Sequence, residues 1–194
     1  MQIDDEGDTA SFIDVCLGLV EPLHGEVHCL GEAWQARSYR EALAQRGRIG
    51  TLVDSQVWAA HQPIIRLVLE PRLHHTDETE DDAVAAGTVL ARRFGLAGLP
   101  IGTPETLRTG DLVRAACVRA FLGTPEFVLI ADDTIEGMGE LSVAMAQAIG
   151  AVQDRGGAVL WLLKSMAAPA ARFVAADHVL RLGDRGLAVA QRPS

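Results

Sequence analysis

Lysine is almost missing. Of 17 basic residues in the 194-residue chain only Lys164 is a lysine, and the 26 acidic residues outnumber them for a net charge of -9. Binding to a nucleic-acid backbone rests on clustered Lys and Arg, so this acidic balance excludes nucleic acid as the principal partner. Cysteine is scarce too: Cys16, Cys29 and Cys117 are widely spaced, odd in number and set among apolar residues. They supply neither a disulfide framework nor a C-x-x-C metal pair and are expected as reduced core residues. No apolar run approaches the roughly 20 residues of a spanning helix. The opening Met1-Gln2-Ile3-Asp4-Asp5-Glu6 also lacks the basic and apolar regions of a signal peptide. A cytoplasmic protein without direct membrane insertion is expected. Neither G-x-S-x-G nor H-E-x-x-H occurs, which removes the common serine and zinc hydrolase patterns.

What is present is a 48% hydrophobic composition, enough for one domain with a real core. A dense apolar stripe predicts a helix over 11–20, with Pro22 ending the element and a short glycine-bounded strand over 25–31. Ile49 to Val53 reads as a buried strand. From Asp77 a helix is marked by acids through Asp82, a capping box of Asp77 with Glu80, closing basic residues Arg92 and Arg93, and Gly95 beyond. His74 and His75 stand beside these acids without a second ligand-bearing element, so the acidic run reads as a helix start and no metal is expected. Helices are predicted over 110–122, 139–153 and 169–176, and strands over 127–131, 158–163, 178–182 and 186–190. Continuous apolar strands alternating with helices point to a mostly parallel sheet covered on both faces.

Two stretches carry a family pattern. Leu107-Arg108-Thr109-Gly110-Asp111, followed by Pro125-Glu126-Phe127-Val128-Leu129-Ile130-Ala131-Asp132-Asp133-Thr134, resembles the signature-to-Walker-B segment of ABC ATPases, written L-S-G-G-Q and then a strand ending D-E-P-T. Cys16 to Val27 resembles the helix and turn after the family's P-loop, and Ile49 to Ser55 its Q-loop strand. Pro71 to Thr76 and Gly95 to Gly98 are similar to the helical subdomain of the branch driving Mla/MCE-type phospholipid transport. Ala176-Asp177-His178-Val179-Leu180 resembles the closing A-D-R-V-x strand. The resemblance implies a three-layer α/β P-loop NTPase-like core at about 8–60 and 116–194, with a helical subdomain at about 61–115. It also implies that the family's N-terminal antiparallel strands and adenine-stacking aromatic are lacking.

Working positions hold the wrong chemistry. A P-loop needs glycines to surround phosphate, a Lys for the β/γ-phosphates and a Ser/Thr for Mg²⁺. The gap-free alignment places Asp8, Thr9 and Ala10 there. At about 5 Å and an effective dielectric near 20, Asp8 facing a phosphate charge costs about 3 kcal/mol. The plainer reading makes Asp8 or Thr9 the cap of a helix beginning near Ala10. The Q-loop Gln becomes Asp54, the D-loop Asp falls near Met138, and the switch His near Lys164. The signature Ser and first Gly become Arg108 and Thr109. Ala131 stands at the Walker-B metal Asp with Asp132 at the catalytic Glu, unless a one-residue slip makes Asp132 and Asp133 the acid pair.

By this resemblance the chain is a degenerate ABC-ATPase-like subunit with a structural or regulatory role in a transport complex, with no catalytic residues and no cofactor. Its partners would be a membrane permease, an active ABC ATPase subunit, or a second copy, placing it on the inner face of the cell membrane. The implied interface is Asp54, Gln56 and Trp58, with Trp58 read either as a partner anchor or as subdomain core. The competing expectation is an active ATPase in which Asp132 and Asp133 bind Mg²⁺ and ATP is the substrate. A remote alternative is a receiver-like signalling domain, disfavoured because only 61 residues follow Asp133.

Overall fold

The computed structural model describes residues 2–3, 6–53, 58–131, 139–163, 176–183 and 186–190. The strands Ile49–Val53 (β4), Phe127–Ala131 (β5) and Ala158–Trp161 (β6) lie side by side in parallel, in that order. Val128, Leu129 and Ile130 are fully buried, as a strand covered on both faces requires. Alternation sends them to opposite sides. Val128 and Ile130 join Leu52, residues of helix Thr109–Phe121 (α5), and Met145, Ile149 and Val152 of helix Ser142–Gln153 (α6). Leu129 instead packs with Leu162 and Ile13 of helix Glu6–Cys16 (α1). These are three layers, helix on sheet on helix. A further sheet sets Gln2–Ile3 (β1) parallel to Val179–Gly183 (β7), which runs antiparallel to Gly186–Ala190 (β8).

Close approach explains one glycine. A Cβ on Gly50 would stand 1.9 Å from the Ala120 carbonyl oxygen, so β4 and α5 touch backbone to backbone. Helix Ile64–His75 (α3), helix Glu80–Arg93 (α4) and α5 pack on one another, and α5 packs on β4 as well. The contact face of α4 is a ladder of small residues, Ala83, Gly87 and Ala91, one turn apart and buried. Small side chains at that spacing let neighbouring helices come close.

Several expected boundaries move. α1 starts at Glu6 and stops at Cys16, because Gly18 takes a left-handed φ of 63° and closes a Schellman turn. The Leu19 N–H donates to the Asp14 carbonyl at 2.8 Å and the Gly18 N–H to Val15 at 3.1 Å. The single strand expected over 25–31 is a hairpin, His28–Cys29 (β2) against Glu32–Ala33 (β3), so an antiparallel pair is present in the N-terminal part of the chain. Its turn residues Leu30 and Gly31 have φ of 51° and 92°, the sign a two-residue type I′ turn demands.

The α4 cap is Thr79, not Asp77. Its hydroxyl accepts from the Asp82 N–H at 3.2 Å and donates to the Asp82 carboxylate at 2.6 Å. The Arg72–Glu78 ion pair at 3.0 Å and the Thr76 hydroxyl, which accepts the Glu78 N–H at 3.3 Å, engage the chain just ahead of that cap. At the far end Gly95, φ 84°, closes a second Schellman turn, with Leu96 donating to Ala91 at 3.0 Å. A helix over Tyr39–Arg46 (α2) was not anticipated. Ser38 and Glu41 form its complete capping box. The expected helix over 169–176 falls, except for Ala176, outside the described residues.

Candidate functional site

In open parallel sheets, ligands gather at the carboxyl ends of the strands. β4 and β5 end in register, Val53 beside Ala131, with Ile130 beside Trp161 of β6. The next residues in sequence are Asp54 after β4 and Asp132 and Asp133 after β5. Asp54, Gln56, Asp132, Asp133, Met138 and Lys164 themselves lie outside the described residues. Ala131 is half-buried and contributes a methyl group where the pattern calls for a metal-binding acid.

The positions expected to stand at the P-loop are helical. Asp8, Thr9 and Ala10 sit within α1, not at or before its start, which corrects the expectation that one of them caps a helix beginning near Ala10. Thr9 is half-buried and Ala10 exposed. Only Asp4 and Asp5 separate the end of β1 from the start of α1. A glycine-rich cradle of the form G-x-x-x-x-G-K-[ST] needs six residues ahead of its lysine to wrap the phosphates.

The residues expected to align with the signature motif open α5. Leu107 follows the turn of 3₁₀ helix Pro104–Thr106 and packs against the main core. Arg108 is the extended N-cap residue, φ -75° and ψ 147°, with no capping bond from its exposed side chain. Thr109 and Gly110 begin the helix, and Asp111 pairs with Arg114 at 3.6 Å. Arg114 also pairs with Glu140, ahead of α6. The N-terminal end of α5 therefore holds an internal charge network, Asp111–Arg114–Glu140.

Trp58 is half-buried and packs against the main core, with the Arg119 guanidinium 4.5 Å over its ring. Burial pushes the pKa of Arg119 down from its usual value. This cation–π pair was not anticipated, since its partners are far apart in sequence and only the packing of α5 joins them. Among the described residues no group of three or more His, Cys, Asp or Glu is placed to hold a metal, and no helix is long and apolar enough to cross a membrane. His74 and His75 meet each other edge to face at 4.9 Å.

No family model and no curated protein matches the chain. Solved structures do. The dimeric post-hydrolysis state of the ATP-binding cassette MJ0796 bound to ADP and Pi superposes with a TM-score of 0.73 at 15% identity, covering 92% of this chain and 78% of that one. A second dimeric structure of MJ0796, a bacterial ABC transporter cassette, gives a TM-score of 0.77 at 15% identity over 93% of this chain and 78% of that one. The fold is that of an ABC ATP-binding cassette, α/β with a parallel sheet and helices. At this identity the likeness speaks to the fold alone.

Proposed function

We propose that this chain is a catalytically degenerate cassette: an ABC-ATPase-like subunit that serves a transport complex through its shape and contacts and does not turn over ATP. The observation that carries the reading is the two-residue connection between β1 and α1, with Asp8, Thr9 and Ala10 inside the helix. Two residues are too few to surround a triphosphate in the manner of a glycine-rich cradle, and the position aligned with the cradle's lysine is Thr9. The start of α5 supports the same reading, because Arg108 and Thr109 occupy the positions of the signature Ser and first Gly that would approach a γ-phosphate.

Its partners in this reading are a membrane permease, an active ABC ATPase subunit or a second copy. The chain would then sit at the inner membrane face through its partner. Trp58, with Asp54 and Gln56, marks the proposed contact region. α3 and α4 are the body of a helical subdomain at about 61–115, and α5 ties it to β4. Lipid as cargo rests on the sequence resemblance at Pro71–Thr76 and Gly95–Gly98. The test is calorimetric titration with Mg-ATP. No binding heat at millimolar nucleotide is expected, and any self-association is expected to be indifferent to nucleotide. Micromolar binding overturns the reading.

One observation favours a second reading, an active but atypical ATPase. β4 and β5 end side by side at Val53 and Ala131, and the sequence continues from them with Asp54 and with Asp132–Asp133, carboxylates of the kind that suits Mg²⁺. Hydrolysis lost in Asp132→Ala and Asp133→Ala would establish it.

A further inference from the structure

At the opposite end of the sheet, where β4 begins and Pro125 precedes β5, a cleft of about 240 Å³ opens between the helices. Four basic side chains from three helices line it: Arg46 closing α2, Arg72 and His75 in the last turn of α3, and Arg119 from α5. No Asp or Glu is among the lining residues. In a chain of net charge -9 this is a local reversal of sign.

The charges there are unequally balanced. Arg72 is ion-paired to Glu78 at 3.0 Å. Arg46 spends Nε on the Leu17 carbonyl at 3.0 Å and Nη2 on the Gly18 carbonyl at 2.6 Å, acceptors that orient the guanidinium without cancelling its charge. Arg119 forms no ion pair among the described residues and lies against Trp58. The Nδ1 of His75 is buried without a hydrogen-bond partner. A buried polar nitrogen left unmatched costs free energy, and partly desolvated guanidinium groups interact strongly with an oxyanion that offers several acceptor oxygens.

We propose that this cleft binds a phosphate-type oxyanion. Arg46, through the guanidinium protons that its two carbonyl acceptors leave free, and Arg119 supply the uncompensated charge, with His75 beside them in the lining. The site draws on none of the degenerate motif positions and stands whether or not the chain binds nucleotide elsewhere.

The anion has two natural sources, free phosphate and a phosphorylated lipid headgroup, and one experiment separates them. The full chain, labelled with ¹⁵N, is titrated with inorganic phosphate and with dihexanoyl phosphatidic acid below its micellar range, chloride holding ionic strength constant. Saturable shifts are expected at the amides of Gly47, Gly50 and Thr51 with phosphate dissociation on the order of millimolar, as a few charge-assisted bonds in an open cleft provide. Arg119→Gln is expected to weaken binding about tenfold, the loss of one bond to a charged group. Tighter binding of the phosphatidic acid identifies a headgroup, and equal binding a free anion. Should Arg119→Gln fail to fold, the shift map on the unsubstituted chain still decides. The proposal is overturned if neither probe moves those amides, or if the shifts persist unchanged in a folded Arg119→Gln variant.

Discussion

Arg48 and Glu126 grip each other in a two-pronged ion pair across the start of two parallel strands. Nε donates to Oε1 at 2.7 Å and Nη2 to Oε2 at 2.5 Å, while the Glu126 N–H donates to the Arg48 carbonyl at 2.9 Å. The residues stand just ahead of β4 and β5, so the pair fixes the register of the sheet from its outer end. Hydrogen bonding to Arg48 holds the Glu126 carboxyl below the usual carboxylate range.

A carboxylate depressed in the folded state stabilises above its unfolded pKa, and that contribution fades as pH falls through the folded value. Glu126→Gln is therefore expected to cost about 0.5–1 kcal/mol at pH 7, the range for a half-exposed bidentate pair after solvent screening. The difference from the unsubstituted chain is expected to shrink below about pH 4. Urea unfolding at both pH values checks it, and an unchanged difference at low pH would contradict it.

Gly50→Ala drives a methyl group to 1.9 Å from the Ala120 oxygen, a backbone atom that moves only with its helix. A loss of about 2–4 kcal/mol is expected from this overpacking, against about 0.5 kcal/mol or less for Gly139→Ala. An added Cβ at Gly139 meets nothing within 4 Å. Thermal unfolding of the two variants side by side makes the comparison.

Thr79→Ala removes the bond that caps α4 and is expected to cost about 1 kcal/mol. Asp77→Ala, outside the helix and exposed, is expected to stay within about 0.5 kcal/mol of the parent. Equal losses would return the cap to Asp77.

The Cys16 thiol is pushed up to about 11 by burial, with a smaller push from Cys29. Its folded pKa exceeds the unfolded value, so the stability it contributes is complete below about pH 8.5 and declines as pH rises toward the folded pKa. Alkylation at pH 8 is expected to be far slower than for a free thiol, because the thiolate is the reactive form. Mass-resolved iodoacetamide labelling, native against urea-unfolded, measures it.

The sheet was legible because its strands are runs of apolar residues bounded by turn signals. Ile49–Val53 and Phe127–Ala131 fall at their expected positions. Composition could not place the end of α1: Leu17, Leu19 and Val20 continue the apolar stripe, and the left-handed Gly18 stops the helix despite it. α2 carried a readable signal in Ser38 and Glu41, three residues apart, but its poor apolar face hid it. Asp77 and Thr79 offered rival caps two residues apart, a choice made by the contacts of Glu78 and Thr76 ahead of the helix. The Asp111–Arg114–Glu140 network could not be read from residues 107–111, because Glu140 lies ahead of α6, 26 residues beyond Arg114. The basic cleft was invisible, since Arg46, Arg72, His75 and Arg119 come from three helices.

The tail of α1 is held by donors from well beyond it. The buried Trp34 donates Nε1 to the Cys16 carbonyl at 3.0 Å, Arg46 grips the next two carbonyls, and a Cβ on Gly18 would lie 2.4 Å from the indole. Between these anchors the chain runs through an outer stretch in which Leu23 is 96% exposed. Those anchors make backbone continuity there dispensable for keeping α1 seated: a chain nicked by a protease between Glu21 and Glu26 is expected to retain its first helix as a noncovalent fragment that co-elutes with the remainder on gel filtration.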